Sequence, residues 1–480
     1  MKTIRIFSIL ILVISLVQLS SADDRVSLRT VGMGRTAVAA SRGTDAIGVN
    51  PANIAIPDVG SFNLSLINSS FRVSTELFTY DIYQKYFTGV DTGGTKRAPY
   101  PLTQQDKNDI RSQLPDNGMT RINVESMLAG LSLETAVLGG IGFAVIEHAG
   151  VNFAFSRDFF DMLYLQGLPS NSKYVFDGTS FEAWWYREYN ISYGRKLPVN
   201  IPFLKNLYAG AAIKMIRGYG IFQTLKNNSS IENRTALSDT GKNSIVGNFD
   251  FLAQRAGVDF FNNDNSDNNN SNNNNSNNKF TFMPDPVGKG TGFDIGISGE
   301  FFDGFIVGLS VTDIGKITWD KNVLLTTGGG QVTYSGYTSE IQDSVKNVIK
   351  GKNSIGEAFV TNLPTVFRIG ATAESDKVPF LEFLPGRLLL AFEYAQGFNE
   401  SLGNTTKPRI SLGAEYRIIP LLPLRTGLMV GGNDKLRWAF GFGLDFRVLT
   451  LDFASDNFGM FFSPKNFNVA SFAFGLKIRI

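Results

Sequence analysis

VASFAFGLKIRI, residues 469–480, alternates strictly between two kinds of side chain. One set is apolar and comprises Ala470, Phe472, Phe474, Leu476, Ile478 and Ile480, whereas the other is small or charged and comprises Val469, Ser471, Ala473, Gly475, Lys477 and Arg479. Alternation with a period of two is typical of a β-strand with two different faces. A tilted strand of about ten residues is long enough to cross the hydrocarbon layer of a membrane. The stretch therefore predicts a strand with one face toward lipid and the other toward a barrel interior.

The same alternation recurs upstream, most clearly in residues 436–448, 409–417 and 184–194. Weaker strands are predicted at 61–77, 127–135, 139–147, 150–156, 206–216, 291–301, 304–313, 364–374, 387–396, 423–431 and 449–455. The alternative is a soluble β-sandwich or propeller, but soluble strands average about 5 to 6 residues and these run near ten. We therefore predict an all-β fold, a transmembrane antiparallel β-barrel of about 14 strands, with 16 as the upper end of the count.

Composition agrees with this fold and excludes several classes of function. The 480 residues include 49 Gly and 40 Phe, and only 18% are charged. A formal net charge of +2, without a cluster of Lys and Arg, gives no support to nucleic acid as a partner. The absence of Cys excludes disulfides, zinc–thiolate sites and thiol nucleophiles.

The N-terminus has the pattern of an export signal. Lys2 and Arg5 precede the apolar run 6–17, and Ser20-Ser21-Ala22 supplies small residues before Asp23. The alternative, an uncleaved anchor helix, would need about 20 apolar residues. We predict a signal peptide at 1–22 and an outer-membrane location after export.

Three segments depart from the strand pattern. Residues 103–113 begin with Thr103 and Asp106 in a weak capping-box spacing, which predicts a short polar helix ending at Leu114-Pro115. Apolar residues at four-residue spacing predict a second short helix at 338–350. The Asn-rich segment 262–278 has nothing apolar to offset the entropy of ordering, so it is predicted to be a disordered loop.

The segment after the signal resembles the start of outer-membrane barrels related to the long-chain fatty acid transporter family. The similarity rests on Val31-Gly32-Met33-Gly34-Arg35-Thr36-Ala37, Gly43-Thr44-Asp45-Ala46 and Asn50-Pro51-Ala52-Asn53-Ile54. In that family these stretches belong to a plug inside the barrel. The resemblance implies a plug at 23–60, a barrel at 61–480, and a substrate path or plug site at Gly32, Gly34, Asn50, Pro51 and Ala52.

Later stretches are similar to Bacteroidetes-type members of this group, which include uncharacterised barrels and the barrel subunit of type IX secretion. The matching pieces are Arg187-Glu188-Tyr189 with Tyr193-Gly194, Gly292 to Gly296, Gly308-Leu309-Ser310 with Thr312-Asp313-Ile314-Gly315 and Trp319, Leu363-Pro364 before Arg368-Ile369-Gly370, and Leu412-Gly413-Ala414-Glu415-Tyr416-Arg417. The resemblance covers most of the mature chain.

No residue pattern predicts catalysis, a metal or a cofactor. The single histidine, His148, is expected in a hairpin turn without a catalytic partner. The acids from Asp264 to Asp267 lack the spacing and glycine of a calcium loop. Gly32-Met33-Gly34 lacks the strand-to-helix context of a dinucleotide site. We expect a protein that is not an enzyme.

Alternation also predicts which charges face the barrel interior: Glu188, Lys214, Glu300, Arg368, Glu393, Arg409, Glu415, Arg417, Arg437, Asp445 and Arg447. The two signs nearly balance, which favours ion-paired packing over a ring of like charges that selects ions. An alternative interpretation is that some of these residues line a solute path.

Two functions fit the sequence. The first, slightly favoured, is uptake of a hydrophobic or amphipathic small molecule that binds near the extracellular end and passes when the plug moves. The second is a structural or secretion-associated barrel that holds a periplasmic or surface protein through its loops, with 78–120 and 319–362 as docking segments. Outer-membrane lipid is the expected partner in both cases.

Overall fold

The computed structural model describes residues 27–58, 60–90, 98, 100–234, 244–257, 284–334, 350–377, 385–434, 436–462 and 468–480. The predicted signal peptide (1–22), the Asn-rich segment (262–278) and, apart from Lys350, the predicted helix at 338–350 lie outside the described residues.

The described residues form mainly long antiparallel strands. In chain order they are β1 (Phe62–Thr75), β2 (Asn117–Thr135), β3 (Gly139–Ser156), β4 (Ser172–Val175), β5 (Ser180–Leu197), β6 (Asn206–Asn227), β7 (Ser230–Arg234), β8 (Ser244–Gly257), β9 (Gly288–Phe302), β10 (Phe305–Trp319), β11 (Val323–Tyr334), β12 (Lys352–Ile355), β13 (Phe359–Asn362), β14 (Val366–Glu374), β15 (Arg387–Gly397), β16 (Arg409–Arg417), β17 (Leu424–Gly431), β18 (Leu436–Asp445), β19 (Leu449–Ser455) and β20 (Val469–Arg479).

Fourteen of these strands close into a barrel. Hydrogen-bonded neighbours run β1, β2, β3, β5, β6, β9, β10 and then β14 to β20, and β20 pairs back with β1. The alternation of β20 is as predicted: Phe472 and Phe474 are 54% and 42% exposed, whereas Ala473 between them is fully buried. The predicted antiparallel barrel of about 14 strands, the fold of outer-membrane β-barrels, is confirmed.

Some predicted strand bounds were wrong. The segments 139–147 and 150–156 form the single strand β3, so His148 lies within a strand and not in a hairpin turn. Strand β18 ends at Asp445, earlier than predicted, which leaves Arg447 exposed in the following turn with a φ of 70°. Arg447 is therefore not among the charges that face the interior.

The two ends of the barrel differ in the length of their connections. Short turns at 136–138, 303–304, 418–423 and 446–448 lie at the end where β1 begins beside Ile480. Connections at the other end are long, such as 76–116, 157–179 and 320–365. Outer-membrane barrels have short periplasmic turns and longer extracellular loops, so the long connections are assigned to the extracellular side.

The sheet forks on the extracellular side of β6. Residues Asn206–Gly218 of β6 pair with β9, but Gly220–Asn227 pair with β8, which continues the sheet through β11 to β12. The fully buried ring of Trp319 fills the fork, because a Cβ at Gly218 or at Gly288 would lie 2.4 or 2.6 Å from this ring. The strands beyond the fork form a sheet that projects above the barrel.

Helices are short and belong to the interior segment or to loops. The α-helices are Leu28–Gly32, Tyr80–Ile82, Gln104–Gln113, Arg157–Phe160 and Gly459–Phe462, the 3-10 helices are Gly43–Ala46, Pro51–Ala55 and Gly432–Asp434, and the π-helices are Tyr83–Phe87 and Asp161–Leu165. In the described ranges no helix is long and apolar enough to cross a membrane.

The predicted helix at 103–113 is present as Gln104–Gln113, with Thr103 as its N-cap. Thr103 and Asp106 form a reciprocal capping box: the Asp106 N–H donates to the Thr103 hydroxyl over 3.1 Å, and the Thr103 N–H donates to the Asp106 carboxylate over 3.0 Å. The helix packs through the buried Ile110 onto an apolar cluster formed by Leu77, Ile82, Tyr86, Leu114, Phe160 and Leu165. This extracellular loop layer thus has its own small core.

Candidate functional site

Residues 27–58, the N-terminal segment, lie inside the ring of barrel strands. The helix Leu28–Gly32 contacts β17 to β20, and Pro51–Ala55 contacts β3, β5, β6 and β9. Nearly all residues from Ser27 to Ile56 are buried. The segment therefore spans the interior from one side of the wall to the other.

Glycines on the inner face of the wall make this close packing possible. A Cβ at Gly210 would lie 2.4 Å from the backbone of Pro51 and Ala52, and one at Gly427 would lie 2.3 Å from the backbone at Met33 and Gly34. The same contact recurs around the barrel, with the N-terminal segment within 2.6 Å of a Cβ placed at Gly140, Gly194, Gly296, Gly308, Gly413 or Gly475. These positions lie at the middle of their strands or on the periplasmic side of it, so the segment occupies mainly the periplasmic half of the interior.

The predicted path or plug residues all take part in this packing. Gly32 lies against the Gly441 backbone, and Gly34 has a φ of 66°, the left-handed region that favours glycine. The Asn50 side chain accepts from the Ala52 N–H and donates to Val38 O and Ser298 Oγ, while Pro51 opens the 3-10 helix. Each of these residues holds the segment in its turn or against the wall.

Charged groups also fasten the segment to the wall. The Glu393 carboxylate accepts two backbone N–H groups, from Ala37 over 2.6 Å and from Val38 over 2.7 Å. Arg29 forms two hydrogen bonds with Glu415, of 2.9 and 3.1 Å. Lys477 pairs with Asp45. Release of the segment would break all of these contacts together.

Arginines surround two carboxylates on one side of the interior. Arg35 and Arg437 each approach Asp456 Oδ2 to 2.8 Å, and Arg72 approaches the same oxygen to 3.4 Å. Arg409 lies 3.1 Å from Glu393, with Arg368 at 4.0 Å. The predicted interior residues Arg368, Glu393, Arg409 and Arg437 are thus brought into one layer that includes Arg35 of the N-terminal segment.

Carboxylates predominate on the opposite side. The ammonium of Lys214 lies 2.7 Å from Asp313, 2.9 Å from Asp294 and 3.5 Å from Glu188. His148 Nδ1 lies 3.2 Å from Glu125, and its Nε2 lies 3.4 Å from Glu188. The histidine is buried between two carboxylates, which corrects its predicted position in a solvated turn.

The remaining predicted charges lie toward the periplasmic end. Glu415 accepts from Arg417 over 3.0 Å and from Arg425 over 2.8 Å, besides Arg29. Asp445 accepts from Arg417 over 2.9 Å and from Arg479 over 2.5 Å. Glu300 accepts from the Asn206 amide over 2.5 Å. Most of these residues form ion pairs, as expected for an interior with nearly equal numbers of positive and negative charges.

Several interior charges were missed by the sequence reasoning. Asp294, Arg425 and Asp452 occupy inward positions of predicted strands, so alternation could have found them. Asp313 has a φ of 59° at a register shift between β9 and β10, which breaks the alternation there. Asp456 follows the end of β19, where no strand pattern extends.

An apolar cluster lies on the extracellular side of these charges. It comprises Trp184, Tyr186, Ile216, Ile221, Ala256, Val287, Ile317, Trp319, Val323, Leu363 and Leu402. In the described interior, the N-terminal segment and the ion pairs around it are thus followed by this cluster toward the extracellular side.

A phenylalanine-lined groove lies outside the wall, where the sheet projects above the barrel. It has a volume of about 750 Å³ and is lined by Phe153, Phe155, Phe181, Phe222 and Phe251 together with Thr179, Ser180, Thr224, Asn227, Ala253, Arg255, Thr326, Lys350, Gly351 and Asn353. Ring centroids of Phe153 and Phe181 are 4.8 Å apart, and those of Phe181 and Phe222 are 5.3 Å apart. The groove is large enough for a small ligand.

The groove lies just beyond the lipid-facing band. On β6 the outward residues Ile213 and Met215 are exposed and apolar, and Arg217 follows them. At the same level Arg187 pairs with Glu147, which also accepts a hydrogen bond of 2.9 Å from the Trp185 indole. Charges and a tryptophan indole are typical of the membrane–water interface. The groove thus lies at the outer surface of the membrane.

Solved structures of outer-membrane transporters are similar to this chain over most of its length. They include the Ralstonia pickettii toluene transporter TbuX, with 11% identity, a TM-score of 0.46 and coverage of 95% of this chain and 98% of the transporter. A Pseudomonas aeruginosa FadL homologue has 12% identity and a TM-score of 0.43, with coverage of 95% of this chain and 98% of the homologue. The Pseudomonas putida toluene transporter TodX has 9% identity and a TM-score of 0.41, with coverage of 96% of this chain and 98% of the transporter.

Curated protein sequences give no match to this chain. A protein family does match, and its match covers residues 47–456, which include 13 of the 14 barrel strands. The chain therefore belongs to the family described as "Family of unknown function (DUF5723)".

Proposed function

We propose that this protein is an outer-membrane barrel that takes up hydrophobic or amphipathic small molecules, which bind first in the phenylalanine-lined groove. The observation that carries the proposal is the groove itself. Five phenylalanines form its floor, and Arg255 and Lys350 are the charged side chains that line it in the described chain. An apolar molecule that leaves water here would gain about 25 cal/mol for each Å² of buried apolar surface.

The position of the groove supports capture from the outer surface. The phenylalanines of the groove lie on the outward faces of β3, β5 and β6 and on the projecting β8. Nearer the periplasm, the outward faces of β3, β5 and β6 carry the lipid-facing band. TbuX and TodX, to which this chain is similar, are transporters of toluene, a hydrophobic compound. Onward passage through the interior would require the N-terminal segment to move, because this segment crosses the described interior from one side of the wall to the other.

The proposal is tested with a fluorescent apolar probe, N-phenyl-1-naphthylamine, and the purified full-length protein in detergent. Phe153→Ala and Phe222→Ala each remove part of the groove floor, and we expect each to weaken probe binding about tenfold, the equivalent of about 1.4 kcal/mol. Phe143→Ala is the matched control, because Phe143 lies on the same strand but faces lipid and is 40% exposed. Unchanged binding in both groove variants would contradict the proposal.

A structural or secretion-associated barrel that binds a partner protein is the second candidate. The loop layer favours it, because residues within 78–120 pack on their own apolar core beside exposed Tyr83, Leu163 and Tyr164. Mild-detergent purification from the native outer membrane distinguishes the two functions. A stoichiometric protein partner would support the scaffold, whereas a bound apolar small molecule without such a partner would support uptake.

A further inference from the structure

A second cavity, the vestibule, lies at the periplasmic end between the N-terminal segment and the wall. It has a volume of about 410 Å³, within the range of small-molecule sites. Its lining is strongly charged, with eight Lys or Arg side chains and six carboxylates: Arg29, Arg42, Lys377, Arg387, Arg417, Arg425, Lys477, Arg479, Asp45, Asp58, Glu300, Glu374, Glu415 and Asp452. Such a lining differs from the phenylalanine groove and would exclude apolar molecules.

Most of these charges are already neutralised by the protein. Glu415 binds three arginines, Asp452 binds Arg425, and Asp45 binds Lys477. At the rim, Glu374 lies 2.7 Å from both Lys377 and Arg387. These groups have little remaining capacity for a charged ligand, so they form the walls of the vestibule and not its binding groups.

Among the described groups that line the vestibule, Arg42, Asp58 and Glu300 form no direct ion pair, although Arg42 is attracted to Asp58 at longer range. Nη1 of Arg42 donates to the carbonyls of Ala39 and Ser41 over 2.8 and 2.7 Å, which fixes the guanidinium while Nη2 and Nε make no hydrogen bond to a described residue. Glu300 accepts one hydrogen bond, from Asn206, and Asp58 accepts none from a described residue. All three line the same cavity.

One cation and two carboxylates in one cavity call for a ligand that carries both signs of charge. A simple anion that binds Arg42 would lie near the carboxylates of Glu300 and Asp58, and a simple cation that binds these carboxylates would lie near Arg42. Arg42 and Glu300 are partly buried and gain most from a partner, whereas Asp58 is exposed at the edge of the cavity. A planar guanidinium with two free donor positions also matches the geometry of a carboxylate.

From this arrangement we propose that the vestibule binds a small zwitterion of amino-acid or dipeptide size. Its carboxylate is bound by Arg42, and its ammonium group is bound by Glu300 and Asp58. The vestibule is at the short-turn end, so the ligand enters from the periplasm. This site is separate from the extracellular groove and does not depend on the function proposed for that groove.

Calorimetric titration of the purified full-length protein tests the proposal with three probes of nearly equal size. These are alanyl-alanine, its N-acetylated form, which lacks the positive charge, and its C-terminal amide, which lacks the negative charge. We expect alanyl-alanine to bind at least about tenfold more tightly than either blocked form. No binding of alanyl-alanine up to about 10 mM, or equal binding of all three probes, would overturn the proposal.

Variants assign the binding to the named groups. Arg42→Gln and Glu300→Gln are each expected to weaken alanyl-alanine binding about tenfold or more, and Arg42→Lys is expected to restore part of it. Lys377→Gln, at the rim but paired with Glu374, is the control and should leave the affinity nearly unchanged. Unaltered affinity in both Arg42→Gln and Glu300→Gln would also overturn the proposal. Heat-dependent mobility of each variant in gels verifies that the barrel is folded.

Discussion

A single methyl group on the inner wall would collide with the N-terminal segment. At Gly210 the three nearest atoms to an added Cβ are backbone atoms of Pro51 and Ala52, which cannot rotate away as a side chain would. Interior packing of this density makes an added carbon costly. The glycines of the wall are therefore as important as the ion pairs for packing the N-terminal segment against the barrel.

Gly210→Ala is expected to destabilise the folded protein by about 1 to 3 kcal/mol, because backbone or strand must shift to admit the methyl group. The measurement is the urea midpoint of tryptophan fluorescence, together with protease cleavage of residues 27–58. Gly329→Ala is the control, since an added Cβ at Gly329 meets no atom within 4 Å. Equal midpoints for the two variants would show that the wall glycine is not needed for packing.

At the scale of elements, the loop helix Gln104–Gln113 depends on its capping box. Hydrogen bonds from the Thr103 hydroxyl and backbone N–H hold the pKa of Asp106 below its usual value. A lowered folded-state pKa means that the cap contributes its full stability above pH 3.8 and loses it as the pH falls through the lower pKa of the folded state. The helix should therefore be fully capped at neutral pH.

Thr103→Ala removes the N-cap and is expected to destabilise this helix by about 1 kcal/mol. Hydrogen exchange of the amides in 104–113 should then be faster at neutral pH, and the difference from the unmodified protein should shrink in acid. Gln105→Ala, an exposed change within the helix, is the control and should not accelerate exchange. The barrel strands should exchange equally slowly in all three proteins, because the loop core is separate from the wall.

At the scale of the whole molecule, we expect the N-terminal segment to close the barrel interior to large solutes. Deletion of residues 31–55 would leave Glu393 and Asp456 without several of their partners and would replace the packed periplasmic half with water. Strand pairing does not involve the segment, so the barrel should still close through β1 and β20.

Cells with this deletion are expected to become more permeable to large polar antibiotics, and the purified variant should form larger conducting pores in planar bilayers. If the protein takes up solutes, flux should change in the deletion variant while the barrel stays folded. A scaffold would instead show unchanged solute flux and loss of its bound partner. A variant that folds but conducts no more than the full chain would contradict the inference that the segment closes the interior.

The sequence by itself determined the barrel through its strand alternation, because a period of two over about ten residues is a local property of any lipid-exposed strand. The composition, with 49 glycines and 40 phenylalanines, agrees with this fold. The capping box at Thr103 was predictable because it is a local property as well. Local pattern also placed most interior charges, such as Glu188, Lys214 and Glu393, on the inward faces. It misplaced His148 and Arg447, because strand ends depend on which neighbours pair and not on the sequence of one strand.

Only the tertiary structure decided what the inward faces contact. Gly210 and Ala52, or Arg35 and Asp456, are far apart in sequence, and closure of the barrel brings them together. The phenylalanine groove forms only because β6 changes its partner from β9 to β8 beyond Gly218. The vestibule forms only because the N-terminal segment lies next to the charged residues of the wall. Such sites form where surfaces from distant strands meet, so no single stretch of sequence contains them.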